Sequence, residues 1–178
     1  MLVGPVSRWA LVLGKCLGGA TVATFQGIII LALAGVARVP YDPILFLTVI
    51  GELLLLSFTI TAFGVMMAAR IKQIQAFMAV TQMLVMPLFF LSGALYPLNG
   101  LPAWLTVLTR FDPLTYVVSP MRAAVFSHLS VPPAEAAVLS PAVTWAGWSV
   151  PVGLCLGMVA VMGVTLLGIA IAEFQRTE

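Results

Sequence analysis

Apolar residues run almost unbroken through four long stretches, at about residues 16–37, 44–69, 74–98 and 145–172, with charges and prolines gathered at their edges. A bilayer core of about 30 Å is crossed by roughly 20 apolar residues in a helix, so each stretch predicts a transmembrane span. Lys15 precedes the first, Arg38 and Pro40 follow it, Arg70 and Lys72 separate the second from the third, and Arg176 closes the fourth. The first run is also longer than the 7–15 residues of a signal-peptide core, so it reads as a retained span.

The segment from about 99 to 144 breaks the pattern. Pro97, Pro102, Pro113, Pro120, Pro132, Pro133 and Pro141 fall in or beside it, and prolines at such spacing forbid a continuous helix. Yet Trp104, Leu105, Leu108 and Phe111 form an apolar stripe, with Thr106, Thr109 and Arg110 facing elsewhere. Two short amphipathic or re-entrant helices are predicted, near 103–111 and 114–126. The expected fold is an all-α integral membrane protein: one transmembrane domain over 1–178, with four transmembrane helices and an extracytoplasmic pair of short helices. Lys15, Arg70 and Lys72 then favour the cytoplasmic side under the positive-inside rule, which puts both termini inside and residues 1–15 in the cytoplasm.

Composition sharpens the exclusions. The chain has 178 residues, 62% hydrophobic and 8% charged, with a net charge of +2, where a soluble domain carries about a quarter charged residues. A water-facing globular surface and a nucleic-acid footprint are both ruled out. Catalysis lacks its parts. The one histidine, His128, has no carboxylate within five residues, and no metal-ligand spacing appears. Gly14-Lys15-Cys16 lacks both the upstream glycine and the following hydroxyl of a phosphate loop. Cys16 and Cys155 lie inside apolar runs and read as small buried hydrophobes. No cofactor is expected on this chain.

Three features inside the spans invite function. Glu52 lies eight residues into the second stretch, where an ionisable group is costly and marks a pathway by default; a glutamate bonded to a neighbouring helix is the plainer reading. Pro87 predicts a kink in the third span. Gly14 with Gly18 and Gly153 with Gly157 have the spacing that lets helices approach closely.

Between Met86 and Phe126 the chain strongly resembles type-2 ABC transporter permeases, the membrane subunits of drug, polysaccharide and lipid exporters. The shared elements, in order, are Phe90–Gly93, Tyr96-Pro97, Leu101–Leu105, Asp112–Tyr116 and Arg122. Within them Ser92, Gly93, Tyr96 and Pro97 join Glu52 and Pro87 as gate or pathway candidates, and Trp104, Asp112, Pro113, Tyr116 and Arg122 form the outer signature. The start of the chain, with Pro5, Ser7, Arg8 and Lys15, resembles the family's cytoplasmic coupling stretch ahead of its third span. The resemblance implies six spans in the family, of which this chain carries four. It further implies a separate ABC-type ATP-binding subunit that supplies ATP and Mg chemistry, a homo- or heterodimer of permease halves, and a bacterial inner-membrane location. The expected activity is efflux of an amphipathic drug, lipid or glycan. The alternative is a non-transporting assembly or regulatory protein, or a truncated permease remnant.

Overall fold

A chain in lipid must satisfy its own amides and carbonyls, which a helix does along its whole length. The computed structural model describes residues 7–37, 39–95, 102–129, 132, 138–145 and 148–176, and in them the apolar stretches are helical. Helix α1 spans Arg8–Ala32, α2 Pro43–Arg70, α3 Ile74–Leu91, α4 Ala103–Thr109, α5 Thr115–His128 and α6 Val152–Arg176. A 3-10 turn at Ala34–Ala37 follows α1. A two-residue antiparallel ladder, β1 (Thr144–Trp145) with β2 (Trp148–Ser149), precedes α6. Four helical segments are long and apolar enough to cross a membrane: Trp9–Val36, Pro43–Arg70, Ile74–Leu91 and Val152–Gln175.

The boundaries differ from the expected ones for identifiable reasons. Helix α1 begins at Arg8, so Lys15 lies inside it rather than in a separate segment. It ends where the Tyr41 hydroxyl donates to the Ala32 carbonyl at 2.9 Å, and the Tyr41 ring covers Gly35 so closely that a Cβ there would collide with it. The third helix stops at Leu91, well short of expectation. The Ser92 hydroxyl donates to the Phe89 carbonyl at 2.8 Å and accepts the Ala94 amide at 3.2 Å. Gly93 then turns the chain at a φ of 76°, a left-handed conformation that strains any residue with a Cβ. The fourth expected span likewise begins late, at Val152. Trp145 belongs to the ladder instead, and Pro151, just ahead of α6, accepts the Leu154 and Cys155 amides as a helix-initiating proline does.

Apolar burial does little to hold helices together in lipid, so they associate by close packing of small residues. Val12 and Cys16 of α1, Ala62 of α2 and Ala170 of α6 form one buried cluster. Gly19 sits against Thr61, Gly27 against Leu53, and Gly163 against Thr59 and Phe58. The anticipated pairs Gly14/Gly18 and Gly153/Gly157 face open space instead, with nothing within 4 Å of an added Cβ. Helix α2 is the hub, packing on α1, α5 and α6. A second cluster ties Tyr116 and Val117 of α5 to Val150, Cys155 and Val159, with Leu55 and Leu56 against it. Helix α3 stands apart, touching α2 and α4 with no buried residue of its own before its cap.

The starts of α1 and α3 and the ends of α2 and α6 lie together. This basic end carries Lys15, whose ammonium lies 5.4 Å from the Phe174 ring centroid, and the Arg70–Glu173 ion pair.

Gly93→Ala is expected to lower stability by about 1–2 kcal/mol through left-handed strain, whereas Gly153→Ala adds a methyl to open space and should be neutral or stabilising. Thermal unfolding midpoints in detergent check this; equal midpoints for the two variants would contradict it.

Candidate functional site

Helix α3 is 18 residues long against 28 for α2, or about 27 Å against 42 Å at 1.5 Å per residue. The space beyond its end is taken by the α4–α5 hairpin, whose turn dips between the spans. Around that turn lie two adjoining apolar cavities, of about 170 and 290 Å³, sharing Ile60, Phe63, Leu84 and Leu88. Leu114 walls the smaller, while Phe111 and Pro113 meet Met162 and Leu166 in the larger. The hairpin tip therefore reaches a level ten to fourteen residues inside α6, about 15–21 Å from its start. The cleft opens between the firmly packed α2–α6 pair and the loosely held α3.

The residues that pin the tip form one network. Oδ1 of Asp112 accepts the Leu114 amide at 2.9 Å, closing a turn through Pro113 just ahead of α5, whose N-cap is Leu114. The Thr115 hydroxyl lies 3.3 Å from both Asp112 Oδ2 and the Leu91 carbonyl, tying the start of α5 to the end of α3. The Tyr116 hydroxyl donates to the Arg110 carbonyl at 2.8 Å and accepts the Trp145 indole N–H at 3.1 Å.

Asp112 is 1% exposed, held by the Leu114 amide and the Thr115 hydroxyl. The Thr115 hydroxyl has one proton and two acceptors within reach. An ionised Asp112 competes for that proton with the Leu91 carbonyl. A protonated Asp112 donates to Thr115 and leaves the Thr115 proton for Leu91.

The structure joins some of the sequence candidates and separates others. Ser92 and Gly93 end α3 beside Asp112, Pro113 and Tyr116, so the gate candidates and the outer signature meet at one joint. Trp104 is 64% exposed on α4. Arg122 lies on the side of α5 away from the buried Tyr116, Val117 and Pro120. Pro87 is exposed in the last turn of α3 rather than at mid-span.

Glu52 is 3% exposed, with Oε2 buried and without a hydrogen-bond partner. It lies two turns from Thr59 on the same face of α2 and lines neither cavity. Ser7 is exposed ahead of α1, without a side-chain cap bond. Pro5, Tyr96 and Pro97, and the Arg8 side chain, lie outside the described residues.

Two buried or paired charged groups escaped the sequence reading. His128 Nε2 sits 3.6 Å from Asp42 Oδ2, joining the end of α5 to the acid that caps α2 through the Ile44 amide; the two are far apart in the chain, and no local spacing signals the pair. Arg110 Nε is buried without a hydrogen-bond partner. The sequence reading places Arg110 on the polar side of the predicted 103–111 helix, facing away from the apolar stripe.

These features define a helical membrane protein with a re-entrant hairpin set against an apolar cleft. Residues 1–126 match the ABC-2 type transporter family, and the chain belongs to that family. A protein of Escherichia coli K12 named as a probable multidrug ABC transporter permease, YbhR, is 32% identical over 125 residues, covering 65% of this chain and 32% of that protein. One of Cyanophora paradoxa named as a putative transport permease, ycf38, is 37% identical over 86 residues, covering 48% and 27%. The chain thus spans about a third of the length of the curated relatives it matches. No solved structure matches it significantly.

Asp112→Ala removes the acceptor of the Leu114 amide and the partner of the Thr115 hydroxyl and should cost about 1–3 kcal/mol, whereas Asp112→Asn keeps an acceptor for Leu114 and should cost less. Unfolding midpoints in detergent check both, and equal losses in the two variants would contradict the account.

Proposed function

We propose that this chain is the membrane subunit of an ATP-driven exporter, moving an amphipathic drug, lipid or glycan-linked cargo outward. The observation that carries the reading is the apolar cleft between α2, α3 and α6 with the hairpin tip set into it, in a chain of the ABC-2 type transporter family. Apolar walls take the apolar part of a cargo without requiring lost hydrogen bonds to be replaced. Helix α3, which buries none of its own residues, is free to shift against α2 without repacking a core.

In this reading ATP hydrolysis belongs to a separate ABC-type ATP-binding subunit, which also holds the ATP and Mg. That subunit docks at the basic end, where Ser7, Arg8, Arg70 and Lys72 lie at or beside helix ends and Lys15 lies two turns into α1. The positive-inside rule favours this end in the cytoplasm, with both termini inside and the α4–α5 hairpin entering from the outer face of a bacterial inner membrane. A second permease half, identical or related, completes the pathway. Closure of the ATP-binding subunits would shift the basic end, move α3 against α2 and free the hairpin tip, with Ser92, Gly93 and the Asp112–Tyr116 segment as the moving joint.

Inverted membrane vesicles containing the chain and its ATP-binding subunit should accumulate an amphipathic fluorescent dye when given ATP. Leu88→Trp, which fills the cleft, should cut uptake about tenfold or more, the scale of a blocked binding pocket, while the exposed Val164→Trp should leave it unchanged. Uptake no greater than in vesicles lacking the chain would favour a non-transporting role.

A further inference from the structure

A threonine hydroxyl on a lipid-embedded helix ordinarily returns to a carbonyl of the preceding turn, because no water is at hand to take it. The chain follows this rule almost throughout. Thr21, Thr24, Thr48, Thr59, Thr61 and Thr165 of α1, α2 and α6 each donate to a carbonyl three or four residues back. Thr106 and Thr109 of α4 do the same, and Thr115 reaches the Leu91 carbonyl. Thr81 of α3 is the one helical threonine whose hydroxyl makes no hydrogen bond among the described residues.

Thr81 lies seven residues into α3, about 10 Å from its start at 1.5 Å per residue, and it walls the 170 Å³ cavity. Every other described side chain of that wall is apolar. The adjoining 290 Å³ cavity adds a second hydroxyl, that of Thr59, whose proton is already committed to the Leu55 carbonyl at 2.9 Å. Among the described residues no charged side chain lines either cavity. A carboxylate, phosphate or ammonium would lose its water there with no counter-charge to replace it, a cost that one hydroxyl does not offset. A neutral group fits, because a threonine hydroxyl both donates and accepts and so serves a carbonyl, an ester or an alcohol alike.

We propose that Thr81 is the polar contact of a binding site for an uncharged amphiphile, with a neutral oxygen of the ligand on the Thr81 hydroxyl and its apolar body along Phe63, Leu84 and Leu88. A plain hydrocarbon leaves the hydroxyl unpaired, and a charged head is itself left unpaired, so the site discriminates against both. Gly64 of α2 walls the same cavity, and nothing lies within 4 Å of a Cβ added there, which leaves room for the apolar body. The proposal narrows the transport reading and rests on it for treating the occupant as cargo, but its test does not require transport.

The full chain in nanodiscs is photolabelled with a diazirine-bearing octanol, and the labelled residues are read by mass spectrometry. Label should fall on α2 and α3 around Thr81. At equal content in the bilayer, octan-1-ol should compete about tenfold better than octane, the scale of one buried hydrogen bond otherwise left unmade, and better than octanoate or octylammonium. Thr81→Val, which matches the outline of threonine without its hydroxyl, should bring octanol and octane level. Thr81→Ser should keep the difference, and Thr61→Val, whose lost hydroxyl serves the Ser57 carbonyl, should leave it unchanged. An octanol preference that persists in Thr81→Val would overturn the proposal, as would label that avoids the cavity or stronger competition by octanoate or octylammonium. Because competition is read without ATP, a failure here is distinguishable from a failure of ATP-dependent uptake.

Discussion

A helix that stops inside a membrane protein leaves its last carbonyls without donors, and no water is at hand to supply them. In this chain α3 stops early, and the structure turns on how that end is satisfied. The Ser92 hydroxyl takes the Phe89 carbonyl, Gly93 reverses the chain, and Thr115 brings its hydroxyl from α5 to the Leu91 carbonyl. That last bond crosses between elements, so ending α3 and docking the hairpin are one event. Asp112 stands behind it, closing the turn that leads into α5 and sharing the Thr115 proton. The short α3, the deep hairpin tip and the cleft between them all follow from this joint.

The joint also divides the protein into parts of unequal firmness. Helices α1, α2 and α6 interlock through small residues, with Gly19, Gly27 and Gly163 each seated against a side chain of α2. Helix α5 joins them through Tyr116 and Val117 and is fastened again at its other end by His128 and Asp42. Helix α3 has no such anchorage along its length. Motion costs least where few buried contacts must break, so displacement of α3 and the tip is the cheapest change available to the fold.

Much of this was legible in the sequence because bilayer thickness and proline act locally. Apolar length marked the four spans, and Pro102 and Pro113 marked the breaks around two short helices, observed as α4 and α5; Pro120 lies inside α5. The span ends were harder. Apolar character resumes past Leu91 at Ala94 and Leu95, so hydropathy alone carried the third span too far; the stop depends on Ser92, Gly93 and a hydroxyl 24 residues away. At the other boundary Trp145 is apolar, but its indole N–H serves the Tyr116 hydroxyl, and Pro151 marks the true start of α6. The motif residues were identifiable by resemblance, whereas their joint action was not: only folding shows that Ser92 and Asp112 belong to the same knot. The His128–Asp42 pair and the unpartnered Arg110 depend wholly on tertiary structure.

The central claim is that the hairpin tip lies deep among the spans instead of in the aqueous loop its polar neighbours would favour. The most direct measurement is the depth of a nitroxide attached at Phe111→Cys in bilayers, read by power saturation with oxygen against a water-soluble nickel complex. Phe111 is 79% exposed and tolerates a label, while Cys16 and Cys155 are buried at 0% and 2%. The account predicts strong oxygen and weak nickel contact, at a depth of about 15 Å, half the bilayer core. Strong nickel contact, equal to that of a label in water, would contradict it.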